Sequence, residues 1–482
     1  MSVSDTRRAI DAVWRIESAK VIAGVARIVR DVGLAEEFAQ DALVAALERW
    51  PESGIPDKPG AWLMATAKHR AIDALRRSKR LERKHDELGH ALAAEDHGAA
   101  LALDAAIDDD IGDDLLRLIF IACHPVLSTD ARVALTLRLL AGLQTDEIAR
   151  AFFVPEPTVA QRIVRAKRTL TEARVPFEVP LKSERAARLS SVLEVIYLVF
   201  NEGYATTAGP EWMRPELCDD ALRLGRILAE LVPEEPEVHG LVALMEIQGS
   251  RLRARIGSSG EPVLLLDQNR AHWDRILIRR GLAALERAAR LGGARGPYAL
   301  QAAIAACHAR ARTPQETDWT RIAALYDALA QLAPSPIVEL NRAVALAMAF
   351  GPAVGLEVVD ALTREPLLGA YHLLPSVRGD LLAKLGRFDE ARVEFERAAS
   401  LTRNARERTL LLERAAASAR GLADRGSATL KRWPFRGAVW AARLWPVTKS
   451  DRLHTTTFLL YDRSPQRSRN GPLVGFPRVQ SH

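Results

Sequence analysis

Cysteine is scarce: Cys123, Cys218 and Cys307 are the only three in 482 residues, and no two form a C-x-x-C pair. Such spacing argues against a disulfide framework and against a cysteine-based zinc site. Cys123-His124 and Cys307-His308 are adjacent pairs, but neighbours on a helix point about 100° apart and rarely share a metal, so no metal site is expected. Aromatic residues make up only 6% of the chain and β-branched runs are few, whereas Ala, Leu, Glu and Arg abound, which predicts an all-α fold. No apolar run approaches the roughly 18 residues needed to span a bilayer, and the opening MSVSDTRRAI has no apolar signal-peptide core. A reducing, cytoplasmic location without membrane contact is the expectation. There is no nucleophile paired with a base and no phosphate-cradling glycine loop, so neither an enzyme nor a cofactor is expected.

Charge is present in quantity but unevenly distributed. Net charge is +6, yet residues 421–482 hold 11 Lys/Arg against 3 Asp/Glu, leaving 56 basic and 58 acidic residues in the rest. Affinity for nucleic acid must therefore come from local patches. The length predicts two to four domains.

Two amphipathic helices are expected over residues 12–50, broken at Asp31-Val32-Gly33, the second ending before Pro51. Leu34, Phe38, Leu43, Leu47 and Trp50 are expected to face the core, leaving Gln40, Asp41 and Glu48 outside. The loop PESGIPDKPG, with three prolines and two glycines, reads as a shaped turn. A helix then begins near Trp62, and residues 68–84 on it hold eight Lys/Arg, including Lys68, Arg70, Arg76 and Arg77, against Asp73 and Glu82. Cations beside an aromatic suit melted DNA, whose backbone needs charge and whose unpaired bases need a ring. Trp62 is either that ring or a core residue. Residues 86–114 invert the charge, with ten Asp/Glu and no Lys or Arg, and no helical stripe survives from Asp108 to Asp114. A solvated acidic linker is the reading.

QTDEIARAFFVPEPTVAQRIVRAKRTL reads as a helix-turn-helix. Val159, Ile163, Ala166 and Leu170 recur at helical spacing as a buried stripe, and Thr158, Gln161, Arg162, Arg165 and Arg168 face the other way, with Lys167 beside them. Arg and Gln can pair with base edges while the remaining cations neutralise phosphates; the alternative is a solvated basic face on a surface helix. Pro155 stands where a capping side chain belongs, and Pro157 follows, both tolerable in a first helical turn.

QDALVAALERW, KPGAWLMATAKHRAIDALRR and TDEIARAFFVPEPTVAQRIVRAKRTL, in this order, resemble regions two and four of the extracytoplasmic-function sigma factors, the promoter-recognition subunits of bacterial RNA polymerase. The resemblance covers about residues 12–175. It implies that Gln40, Asp41, Leu43 and Leu47 dock on core polymerase. It also implies that the loop 51–60 and the helix bearing Trp62, Lys68, His69, Arg70, Asp73, Arg76 and Arg77 capture a melted minus-ten element. His69 stands where many relatives have Asn. The helix from Glu156 to Arg168 would enter the major groove of a minus-thirty-five element.

Beyond the linker VPFEVPLKSE, residues 185–418 are predicted to be helical, with YLVFNEGY ending one helix in a polar turn, Asn201-Glu202-Gly203-Tyr204, and a short β-like piece near Val263 to Leu266. The turn is either a binding site or a tight structural loop. Gly351 and Gly386 lie 35 residues apart, and LAKLGRFDEARVEFERA resembles the tetratricopeptide pattern. Stacked hairpins of this kind form a groove for a protein or peptide partner; a compact bundle without a ligand is the alternative. The whole order resembles a subgroup of these sigma factors that carries a long C-terminal extension, implied to regulate or support activity in cis. The expected division is region two at 1–85, linker 86–112, region four at 113–175, linker 176–184, extension 185–420 and a disordered basic tail 421–482. A stand-alone helix-turn-helix regulator with a partner-sensing repeat domain is the alternative function.

Overall fold

In a computed structural model the chain is described for residues 3–87, 111–152, 154–206, 213–257 and 262–423. These form eighteen α-helices and no strand, so the fold is all-α. Most of the expected acidic linker, and the tail from residue 424, lie outside the described residues.

Helix α1 (Val3–Val29) and α2 (Val32–Ser53) separate at Arg30 and Asp31, one step earlier than the sequence suggests. Arg30 takes a left-handed φ of 54°, and Asp31 caps α2 by accepting a hydrogen bond from Leu34 N at 2.9 Å. The cap draws Val32 and Gly33 into the helix. At its other end α2 runs through Pro51 and stops at Gly54, where φ is 83°. Proline in a last turn forfeits one bond without breaking what precedes it. The face of α2 that meets the core also differs from expectation. Ala35, Ala39, Ala42 and Ala46 are buried with Trp50; Phe38 and Leu43 are half-buried, and Leu34 and Leu47 are exposed. Alanine lets the three helices approach closely, and α3 (Pro59–Glu87) answers with a buried stripe of Leu63, Ala67 and Ala71.

The next four helices are α4 (Ile111–Ala122), α5 (Thr129–Leu139), α6 (Thr145–Phe152) and α7 (Glu156–Glu172). The expectation of no helix between Asp108 and Asp114 is corrected at its end, because Asp113 and Asp114 belong to α4. Asp114 is buried and pairs with Arg117 at 2.6 Å and with Arg27 of α1 at 3.4 Å. Two guanidiniums are what make a buried carboxylate tolerable there.

One residue ties α2 to α5 and α7. Glu36, only 3% exposed, accepts from Arg138 Nε at 2.6 Å and from Gln40 Nε2 at 2.7 Å on one oxygen, and its other oxygen forms an ion pair with Lys167. Around this centre Thr171 donates to Asp31 at 3.0 Å, and Arg15 to Glu147 at 2.5 Å.

Helices α8 (Lys182–Tyr204), α9 (Pro215–Leu231) and α10 (Pro236–Gly249) follow. The Asn201–Tyr204 segment is the last turn of α8 and not a turn beyond it. Side chains from here hold the preceding helices: Arg188 donates to Phe120 O at 3.0 Å, Arg223 to Ala141 O at 3.3 Å, and Arg214 to Ala151 O, while Arg132 reaches back to Ser191 and Glu194. A single apolar core runs from Ile10 to Ala345, and a second is built mainly from residues 340–415. The β-like piece is corrected to an isolated bridge between Ile256 and Pro262 followed by turns: Val263 N donates to Arg255 O at 2.8 Å, and its carbonyl accepts from the Gln268 side chain at 3.1 Å.

The remaining helices are α11 (Arg275–Arg290), α12 (Pro297–Arg310), α13 (Trp319–Leu332), α14 (Pro336–Phe350), α15 (Pro352–Leu362), α16 (Leu373–Lys384), α17 (Phe388–Leu401) and α18 (Ala405–Ala423). Gly351 and Gly386, the pair noted at a 35-residue interval, have φ of 107° and 75° and end α14 and α16. Each reversal starts a helical hairpin, the unit of a tetratricopeptide-like stack.

Two substitutions test this packing. Glu36→Gln leaves Arg138 and Lys167 facing a neutral group, and urea unfolding is expected to lose about 3 kcal/mol, in the range for a broken buried ion pair; a loss below about 0.5 kcal/mol, the level of an ordinary surface change, contradicts it. Gly203→Ala would place a Cβ 2.7 Å from Cys218 N and 2.8 Å from Arg214 O. A loss of about 1–3 kcal/mol is expected for such overpacking against backbone; unchanged stability would mean that α8 and α9 are not in this contact.

Candidate nucleic-acid and polymerase interface

On α3, the residues opposite the buried stripe are the ones expected to meet DNA. His69, Asp73, Arg76, Arg77 and Arg80 are exposed, and Lys68 and Arg70 are half-buried. Arg77 folds its Nε back onto Asp73 O at 3.3 Å, and Arg70 forms a 3.2 Å ion pair with Asp41 of α2. These exposed contacts are weak and leave the cations available to phosphate. Trp62 takes neither expected extreme: it is half-buried, edge-on to buried Trp50 at 5.3 Å, so one part of the ring packs and another reaches the surface.

The residues expected to dock on polymerase lie on α2. Asp41 is exposed, Leu43 and Gln40 are half-buried, and Leu47 is 36% exposed. Gln40 contacts Glu36, so the docking face and the buried ion-pair centre share one helix turn. Leu34 and Val44 are exposed as well, which extends the apolar surface beyond the residues that the sequence reading selected. Leucine outranks alanine as a buried residue, which is why the sequence alone places Leu34 in the core.

In the helix-turn-helix, α7 starts after Pro155 with no side-chain cap. Val159, Ile163, Ala166 and Leu170 are buried against α5 and α6, which points Gln161, Arg165 and Arg168 outward. Thr158 and Arg162 are half-buried, Arg162 lying 3.3 Å from Asp130, and Arg168 pairs with Glu172 at 2.6 Å. Arg165 carries no ion pair among the described residues. Lys167 departs from the expectation: it turns toward α2 and pairs with Glu36, because it lies on the flank of the helix nearest the first three helices. The outward face thus consists of Gln161, Arg165 and Arg168, with Arg162 and Thr158 at its edge.

The Asn201–Tyr204 segment faces inward. Asn201 is half-buried, and Glu202, Gly203 and Tyr204 are buried. Glu202 lies 3.9 Å from Arg214, and Tyr204 stacks on Phe200 at 5.7 Å. The three cysteines are buried thiols; Cys123 bonds Thr136 at 3.4 Å, and burial pushes it up to about 11. Among the described residues no helix is long and apolar enough to cross a membrane.

Comparison with known proteins agrees with the order of these parts. Residues 16–81 match sigma-70 region 2, residues 117–170 match sigma-70 region 4, and residues 188–289 match a family of unknown function (DUF6596). An uncharacterised protein of Rhizobium meliloti (strain 1021) is 45% identical over 382 residues, 79% of this chain and 89% of that protein. A probable ECF RNA polymerase sigma factor, SigI, of Mycobacterium tuberculosis is 29% identical over 171 residues, 35% of this chain and 57% of that protein. The ECF RNA polymerase sigma factor SigK of Mycobacterium ulcerans is 29% identical over 150 residues, 30% of this chain and 75% of that protein. The sigma-70 family consists of non-enzymatic transcription initiation factors that bind core RNA polymerase and promoter DNA. The chain belongs to that family, as an extracytoplasmic-function sigma factor whose two sigma regions are followed by a long helical extension.

Proposed function

We propose that this chain directs transcription initiation by reading two promoter elements with separate helices while docked on core RNA polymerase. The observation that carries the reading is a pair of outward basic faces on one chain: Arg76, Arg77 and Arg80 with His69 on α3, and Gln161, Arg165 and Arg168 on α7. On α3 the cations hold the backbone of melted minus-ten DNA, and the accessible part of Trp62 offers a stacking surface for an unpaired base. On α7, Arg165 and Gln161 read base edges of the minus-thirty-five element, with Arg162 and Arg168 at phosphates. Leu47, Leu43, Asp41 and Gln40, extended by Leu34 and Val44, form the polymerase-docking face. Residues 1–85 and 113–175 serve as the two sigma regions, with the acidic residues 86–112 as their tether.

Both reading helices contact α2 in the free chain, α3 through Asp41–Arg70 and α7 through Glu36–Lys167. Elements centred about 25 base pairs apart are separated by roughly 85 Å of duplex at 3.4 Å per pair. Two faces anchored on one helix cannot cover that span. Promoter engagement therefore includes release of α7 from α2, and the polar nature of the Glu36 contact suits it to reversal because its charges regain water on opening. The extension, packed on α4 through α6, supports the helix-turn-helix and controls how far it moves.

Run-off transcription with purified core polymerase tests the reading: a promoter-specific transcript is expected, whereas DNA binding without any transcript would identify a stand-alone regulator. Arg165→Ala is expected to weaken binding by about 1–3 kcal/mol and to relax discrimination in the minus-thirty-five element alone. Arg76→Ala should weaken binding across sequences and reduce the salt slope by about one. Equilibrium binding of the polymerase complex at several salt concentrations separates the two, and identical effects of both substitutions would contradict the division of labour.

A further inference from the structure

The extension contains an alternating stack of arginines and rings that the sigma reading does not use. Arg255 lies over Tyr204 at 3.5 Å from the ring centroid, Arg251 lies over the same ring at 5.7 Å and over Trp273 at 5.8 Å, and Arg270 lies over Trp273 at 4.9 Å. All three arginines are buried. Stacking satisfies the faces of a guanidinium but none of its five in-plane N–H donors.

The three differ in how those donors are used. Arg270 donates to His308 O and Ala311 O at 2.7 Å each and to Thr317 Oγ1 at 3.1 Å, which is a structural assignment. Arg255 makes a further interaction of its own. Arg251 is 6% exposed, its Nε is buried without an acceptor, and it forms no ion pair among the described residues. Glu202, the buried carboxylate two residues before Tyr204, lies 3.9 Å from Arg214. A buried guanidinium without a counter-charge is strongly unfavourable, and an anion that supplies acceptors in its plane removes the penalty. The field around Arg251 is correspondingly positive: burial, reinforced by Arg251 and Arg270, pushes His308 down to about 3 and keeps that ring neutral.

We propose that Arg251 binds the oxyanion of a small phosphate- or carboxylate-bearing metabolite. The in-plane donors of Arg251 present the planar fork that such a group accepts. Tyr204 comes from the end of α8 and Arg251 from the segment after α10, so an occupied site ties these two parts of the extension together. The site belongs to the part of the chain matched by the family of unknown function and does not depend on the sigma assignment.

The test is titration of the full chain with inorganic phosphate, pyrophosphate and succinate at constant ionic strength maintained with sodium chloride. At least one probe is expected to raise the melting temperature progressively with concentration and to give saturable heat in calorimetry. Arg251→Met should weaken that binding at least tenfold, Arg251→Lys should weaken it less, and Arg253→Met, an exposed neighbour, should leave it unchanged. Phosphate and pyrophosphate acting without succinate identifies a phosphate ligand, and the reverse a carboxylate. Hydrogen–deuterium exchange on the wild-type chain locates the site independently of whether the variants fold, with protection expected in peptides 197–206 and 248–257. No saturable response to any of the three probes, protection confined to other segments, or undiminished binding by Arg251→Met overturns the proposal.

Discussion

Glu36 is the constraint on which the amino-terminal half depends. A carboxylate this deeply buried is tolerable only while Arg138 and Lys167 face it, so α2, α5 and α7 are held in one relative placement by charge. The same contact occupies Lys167, which the sequence places among the expected DNA contacts, and Gln40, which it places among the expected polymerase contacts. The proposed docking and reading faces are therefore connected through one side chain. An ion-pair centre differs from an apolar one in that its separated halves are soluble, which makes it suitable for a contact that has to be undone.

The extension is bound to the sigma regions by a different means. Apolar residues from α1 through α14 form one continuous core, and Arg188, Arg214 and Arg223 fasten backbone carbonyls of the preceding helices. Removing the extension would expose that shared core, which makes its presence a condition of the stability of the helix-turn-helix. α7 meets α2 through the polar contact at Glu36, while its buried stripe packs on α5 and α6.

Much of this was legible in the sequence. The stripe Val159, Ile163, Ala166 and Leu170 obeys helical periodicity, so its burial and the outward direction of Arg165 follow from spacing alone. The 35-residue interval between Gly351 and Gly386 marked two helix reversals for the same reason. What was not legible involved partners distant in sequence. Asp114 read as a solvated linker residue because nothing local announces Arg27. Lys167 read as a DNA contact because its counter-charge, Glu36, sits in another part of the chain. The inner face of α2 was misassigned for a separate reason: hydrophobicity favours leucine, whereas close helix packing favours alanine, and at Ala35, Ala39, Ala42 and Ala46 packing decides.

The claim that a polar contact at Glu36 closes the free chain and opens on the promoter is tested most directly by a distance. Spin labels on cysteines placed at the exposed positions Glu37 on α2 and Glu172 on α7 report it by pulsed electron resonance. The account predicts a short, narrow distance in the free chain that is replaced by a much longer one when core polymerase and promoter DNA are added. A distance that stays short in the complex that transcribes would contradict it.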